Sequence, residues 1–282
     1  MSNVKMPIDV LLDRVGELPT VPMVARKALE IINDPRSNMT DLAGVIKLDQ
    51  SMASLVLRWV NSAQYSLSQS VTTVEKAVSF LGYRTIQNLV LSASVANLLS
   101  KPIRGYAMER GALWKHGVGT SVGAGLIVHN IEPALADDAY YAGLFCDVGK
   151  LAFDVVLQRV SYVIKPHKTK SFHEMEIEIF GYDHAAVSAA ITQRWQLPEF
   201  LVQVIKFHHV PSMVEEKWKL LTYAVHAADA VMMGYLMGAG PDDLPYPLDP
   251  GVVEIIKWNE NSFENLLKRV TPVIEEIEAY LE

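Results

Sequence analysis

The run AGLFCDVGKLAF, residues 142–153, decides how this chain is read. Small and apolar residues lead into Asp147, Gly149 and Lys150, and apolar residues resume at once. That order reads as a helix carrying a polar cluster into a buried place. Cys146, the only cysteine of the chain, stands directly before the aspartate.

Outward from this run, apolar residues recur at helical spacing in both directions. Before it lies RGALWKHGVGTSVGAGLIVHN (110–130), a helix despite Gly117, Gly119, Gly123 and Gly125. Those glycines imitate a phosphate-binding loop. The dinucleotide fingerprint would need glycine where Val122 stands, and no strand pattern precedes it. Small residues that let helices approach closely are the better explanation. After the run come FHEMEIEIFG (172–181), with Ser171 and Glu174 at capping-box spacing, and YDHAAVSAAITQRWQ (182–196), with Asp183 as N-cap. LPEFLVQVIKFHH (197–209) has Pro198 in its first turn and Pro211 beyond its end. A long apolar helix at 220–240, the proline-rich loop 241–250 and two closing helical stretches follow.

The first third reads the same way. Residues 21–34 place Val21, Val24, Ala28, Ile31 and Ile32 on one stripe, with Thr20 as cap. Short amphipathic helices follow at 39–49 and 51–63; Trp59 in the second and Tyr65 just beyond it could line a contact surface, but core at helical spacing is the better reading. Residues 72–82 pair Thr72 with Glu75 as a capping box and stop at Gly82. A helix over 83–100 then runs to the break at Lys101-Pro102. Alternating strand patterns are scarce, so the expected fold class is all-α.

Composition narrows the function classes. The 282 residues permit one large domain or two modest ones, at roughly 100–200 residues each. With 50% hydrophobic and 20% charged residues, the chain has ample core and is not a disordered one. A formal charge of −7 argues against a broad face for nucleic-acid phosphates. One cysteine excludes an intramolecular disulfide and suits a reducing, cytoplasmic compartment. The 220–240 helix is long enough to span a bilayer, but His226 and Asp229 sit near its middle. An aspartate there costs about 2.5–3.5 kcal/mol on insertion scales, so burial in protein and no membrane insertion are expected.

Several polar residues stand where the apolar faces point. His184 shares a stripe with Val187, Ser188, Ile191 and Trp195, and His208 shares one with Leu201, Val204 and Ile205. His208 and His209 diverge by about 100° on a regular helix, so both can face one site only where the helix ends. Asp229 inside its apolar helix needs an ion pair, a hydrogen bond or a metal. With His116 and Asp147 these residues form a candidate metal set: His116, Asp147, His184, His208, His209 and Asp229. Imidazole and carboxylate suit one divalent ion such as zinc, iron, manganese or nickel, while a metal-free polar core is the other reading. Lys150 could hold a phosphate oxygen as a point charge. His129 suits a helix end, His167 and His173 read as solvated, and His226 as a hydrogen-bond partner of Asp229.

The order of these residues resembles the HD superfamily of metal-dependent phosphohydrolases. FCDVGK (145–150) is similar to the HDIGK of the branch that cleaves cyclic dinucleotides, and residues 182–209 resemble its following segment. LPTVPMVARKALEIINDP, NSAQYS and TTVEKAVSFLGYRTIQNLVL resemble the amino-terminal part of the HDOD family, the HD-related output domain of bacterial signalling proteins. The likeness runs from about 17 to 230. It implies a multi-helix HDOD-like bundle: an N-terminal helical lobe at 1–104, an HD-like lobe at 105–240 and a C-terminal extension at 241–282.

The resemblance also implies a cytoplasmic signalling role exercised through protein partners. Cys146 departs from it, standing where the doublet histidine would be. Either a thiolate takes that ligand place, or the residue is a small buried hydrophobe and one metal position is weakened. The first reading is thus a non-catalytic HDOD module that meets a signalling protein. A metal-dependent phosphohydrolase acting on a nucleotide or cyclic dinucleotide, with Asp147 and Lys150 catalytic, is the alternative. A switch that binds a metal or a phosphorylated small ligand is the third. A homo-oligomer is compatible with each.

Overall fold

The computed structural model describes residues 5–15, 27, 30–31, 36–47, 50–61, 70–82, 86, 90, 95–96, 98–165, 170–237 and 246–278. Thr20 and most of the expected 21–34 helix, Tyr65, His167 and the side chain of Trp59 lie outside the described residues. The regular elements among the described residues are helices, joined by one isolated bridge between Ile103 and Met108, so the fold is all-α. Packing divides the chain into two units, Pro19–Leu98 and a larger one formed by Met1–Leu18 with Leu99–Glu282.

In the smaller unit, α2 (Met39–Lys47), α3 (Gln50–Val60) and α4 (Val74–Leu81) enclose Leu42, Ile46, Val56, Val60, Ala77 and Val78. Each fully buried Leu, Ile or Val side chain gains about 1.5–3 kcal/mol on leaving water. Helix α4 is capped by Thr73, not Thr72: its extended backbone lets Oγ1 accept from Lys76 N. Glu75 is then second in the helix, one place too early to close a capping box. Gly82 ends the helix at φ 81°, in a region open to glycine.

The larger unit is built round α5 (Ala112–His129). Helix α6 (Ala136–Phe145) and the long α11 (Lys219–Met237) pack against it, and α13 (Ser262–Glu278) covers it with Phe263, Leu266, Val270 and Ile274. The α5 glycines serve close packing. A Cβ at Gly123 would stand 3.1 Å from Ala228 Cβ, and one at Gly143 of α6 would stand 2.8 Å from Ser121 Cα. Between α6 and α11 run α7 (Gly149–Arg159), α8 (Phe172–Phe180), α9 (His184–Arg194) and α10 (Glu199–Phe207); the short α12 (Val252–Ile255) precedes α13. The expected caps at Ser171 and Asp183 form, and Pro198 is the residue before α10. No helix among the described residues is long and apolar enough to cross a membrane. The apolar run of α11 is instead buried along Leu221–Met233 by its neighbours.

Two local features depart from the sequence expectation. Ile8–Val15 forms a helix, α1, that buries Leu11 and Leu12 and offers Asp9 and Asp13 to Arg194. The opening motif also lies at a corner between two helices. Residues 146–148 keep helical dihedrals where Cys146 and Val148 are concerned, yet Val148, Lys150 and Leu151 bond to carbonyls three residues back. This tightening turns the chain from α6 into α7 and points Asp147 inward.

Candidate metal centre

Gly149 fixes the corner. Its Cβ would collide with the His184 carbonyl and stand 2.8 Å from Ser188 N, so only glycine lets α7 start against α9. Its amide donates to Ser188 Oγ at 2.8 Å. The starts of α7 and α9 are thereby held together, which brings Asp147 and His184 side by side.

Five structural pieces supply the cluster: α5 gives His116, the corner gives Cys146 and Asp147, the start of α9 gives His184, the turn that ends α10 gives His208 and His209, and α11 gives Asp229. His116 Nε2 lies 2.7 Å from Asp229 Oδ1 and 3.1 Å from Asp147 Oδ2. His184 Nε2 lies 2.9 Å from Asp147 Oδ1 and 2.9 Å from His209 Nε2. Helix α10 stops at Phe207, so His208 and His209 occupy a turn and both rings turn inward, 3.9 Å apart. All six expected candidates therefore meet in one place. His116, Asp147, His184, His208 and Asp229 are each at most 2% exposed, and His209 is half-buried.

Glu176, which the sequence did not single out, orders the cluster from behind. Its fully buried carboxylate accepts the His184 amide and His184 Nδ1, both at 2.6 Å, and the Tyr106 hydroxyl at 2.6 Å. Three donors offset the desolvation of the charge. The signal for it was faint: Phe172, Glu176 and Phe180 share one stripe of α8, a carboxylate on an apolar face. Tyr246 was also missed. It reaches in from the loop after α11 and donates to Asp229 Oδ2.

Two weaker expectations are corrected. His226 is not the partner of Asp229: its Nδ1 donates to the His208 carbonyl at 2.7 Å, and its Nε2 accepts from Asp249 N at 2.9 Å. It braces the α10 turn, while His116 and Tyr246 hold Asp229. His173 is not solvated. Its ring stacks on His209 at 4.4 Å, because Ser171 caps α8 and turns that helix's first residues over the cluster. His129 is exposed at the end of α5 as expected.

The charges sort into two groups. Burial opposes ionisation of His116 and His184, but neighbouring carboxylates outweigh it. Asp147 and Asp229 push His116 up to about 9, and Glu176 and Asp147 push His184 up to about 10. Burial also opposes the charge on Asp147, yet Lys150, His184 and His116 hold it well below the usual carboxylate range. Asp229 is likewise held low by its bond to His116. Lys150, buried and paired with Asp147, is raised. Burial lowers His208 and His209, and it raises the Cys146 thiol, with Asp147 and Asp229 adding to that rise.

These residues fit a divalent cation. His208 Nδ1 lies 2.7 Å from the Ile205 carbonyl, an acceptor, which puts the proton there and leaves Nε2 as a lone pair. That nitrogen is buried and has no hydrogen-bond partner among the described residues; nor is any donor aligned on Asp147 Oδ1. Leaving such an atom unsatisfied costs about 1–3 kcal/mol, which a cation would relieve. Candidate ligand atoms of His184, His208 and His209 lie within 4.8 Å of one another, as do those of Cys146, Asp147, His208 and Asp229. The Glu176–His184 bond is the arrangement that fixes the tautomer of a metal-ligating histidine. Over the centre, Phe172, His173, His209 and Tyr246 leave a cleft with room for about one water molecule.

Known proteins share this architecture. A crystal structure of an HDOD domain protein of unknown function from Geobacter sulfurreducens aligns with a TM-score of 0.74 at 24% identity, over 96% of this chain and 95% of that one. A candidate signal transduction protein from Marinobacter aquaeolei VT8 gives 0.74 at 21% identity, over 96% of this chain and 61% of the other. An uncharacterized protein of Treponema pallidum (strain Nichols) is 27% identical over 233 residues, or 81% of this chain. The chain spans 44% of the length of that relative. The model of the HDOD domain matches residues 18–211, well over half of the chain, and the protein belongs to the HDOD family.

Proposed function

We propose that this chain is a signal-transduction module whose HD-type centre holds a divalent metal in a closed, non-catalytic form, and that its output is contact with a signalling protein. The observation that carries this reading is the enclosure of the centre. Asp147, Lys150, His184 and Asp229 are each at most 2% exposed, beneath a cleft that admits about one water. A small-molecule site ordinarily offers about 300–1,000 Å³. Lys150, the group suited to a phosphate oxygen, is taken by Asp147 instead. The signal transduction description of the Marinobacter relative accords with this reading.

A specific observation favours a second reading, metal-dependent phosphohydrolysis. Asp147 touches Lys150, His116 and His184 at once, which is where a carboxylate would bridge a metal and a phosphate-binding cation. A bound divalent ion would supply Lewis acidity and an activated water. In that case His116, Asp147, His184, His208, His209 and Asp229 would hold the ion, and Lys150 would hold and orient a phosphate oxygen once Tyr246 and His173 moved aside.

Incubation of the full chain with nucleotides and cyclic dinucleotides, in the presence of manganese, iron or nickel, separates the two. No product above the level of the Asp147→Ala variant is expected. Metal-dependent turnover that disappears in that variant would refute the non-catalytic reading.

A further inference from the structure

The Cys146 thiol stands at the centre beside Asp147, His208 and Asp229. It is fully buried, and its sulfur donates at 3.2 Å to the Gly143 carbonyl, a weak bond from a weak donor. Its ligand atom lies within 4.8 Å of those of Asp147, His208 and Asp229. His208 provides an observation independent of the cysteine. Its ring is held through Nδ1, its Nε2 lacks a partner among the described residues, and the side chain is fully buried. A lone pair so placed beside two carboxylates and a thiol calls for a cation.

We propose that Cys146 is a thiolate ligand, and that Cys146, Asp147, His208 and Asp229 form a four-ligand site for zinc. The inference rests on the metal-holding part of the proposed function and adds a sulfur ligand and a metal identity. One sulfur, one imidazole nitrogen and two carboxylate oxygens match the ligand number of zinc, and a thiolate favours zinc over manganese or magnesium. Four protein ligands with no open position make a closed, structural type of site rather than a hydrolytic one. On binding, the S–H bond breaks, the sulfur electron pair forms the bond to zinc, and the proton leaves to buffer; nothing is oxidised or reduced. The ion would tie the α6–α7 corner to the end of α10 and to α11, so that it braces the larger unit.

Cobalt(II) substitution tests this on the full chain, stripped of metal and kept reduced with a phosphine. Cys146 is the only cysteine, so any sulfur-to-cobalt charge-transfer band in the near ultraviolet reports that residue alone. The expected result is one cobalt per chain, visible ligand-field bands and a charge-transfer band, all bleached by zinc but not by excess manganese. Cys146→Ser should lose the charge-transfer band while keeping its circular dichroism. Cys146→Ala serves the same purpose should serine perturb the apolar surroundings. Ligand-field bands without the sulfur band would overturn the cysteine assignment and leave the metal-holding reading standing. No cobalt spectrum at all would overturn both, and displacement by manganese as readily as by zinc would overturn the choice of metal.

Discussion

Raising the pH of the metal-free protein above about 6.5 should destabilise it. His116 is raised to about 9 and His184 to about 10 in the folded chain, whereas an unfolded histidine titrates near 6.5. A raised folded value means that the associated stability is complete below about pH 6.5 and is lost as the pH climbs through the folded values. Each group contributes a slope of about 1.4 kcal/mol per pH unit, hence about 2.7 kcal/mol per unit where both are engaged. The acid side slopes the other way. Burial lowers His173, His208, His209 and His226. The unfolded chain binds more protons than the folded one at these sites below about pH 6.5, so stability falls there too. The depressed Asp147 and Asp229 keep their contribution above the ordinary carboxylate pKa and lose it only in stronger acid. Urea unfolding followed by tryptophan fluorescence, with chelator present, should therefore show maximal stability near pH 6.5. Zinc needs deprotonated ligands, so its binding strengthens as the pH rises and should flatten the alkaline limb. A chelated protein whose stability stays level or increases from about pH 7 to 9 would refute the charge assignment of the cluster.

Glu176→Gln removes the negative charge to which His184 donates twice. A loss of about 1.5–3 kcal/mol in urea unfolding is expected, together with a lower alkaline midpoint for His184 by proton NMR. Two glycine substitutions should act in opposite directions. Gly149→Ala drives a methyl into the His184 carbonyl and should cost about 3 kcal/mol or more, separating α7 from α9. Gly44→Ala, on the exposed side of α2 with nothing within 4 Å, should stabilise by about 0.5–1 kcal/mol. Equal thermal shifts for the two variants would contradict the packing described.

What could be read from the sequence was set by periodicity. His116, His184, His208 and Asp229 lie on apolar helical faces, where a polar residue is conspicuous. The adjacent His208 and His209 converge because Pro211 stops α10 in time. The corner at 146–148 gave no such sign, since it contains neither glycine nor proline and its cause is tertiary, the docking of Gly149 on α9. Helix α1 has eight residues, too few to be stable alone, and it depends on burying Leu11 and Leu12 in the larger unit. Tyr246 lies within a proline-rich loop with no period, so nothing in the sequence links it to Asp229. His173 reads as solvated from its polar neighbours, whereas it is covered by the ring of His209, thirty-six residues further along the chain, which no local pattern connects to it.

The cluster is able to exist with or without a cation because its charges balance in either condition. Without metal, protonated His116 and His184 and the Lys150 ammonium face the carboxylates of Asp147, Glu176 and Asp229. Three positive charges meet three negative ones, so no unpaired charge is buried and the large penalty of such a charge is avoided. Replacing two of the acidic protons by one divalent ion leaves that balance unchanged. The same residues thus serve as a polar core and as a metal centre, and the proton concentration sets the exchange between the two. A cluster held together only by its metal would instead bury a net negative charge when stripped, and the protein would unfold on chelation at every pH. The neutral metal-free state predicts a folded apoprotein near pH 6.5 whose dependence on zinc appears only as the solution becomes alkaline.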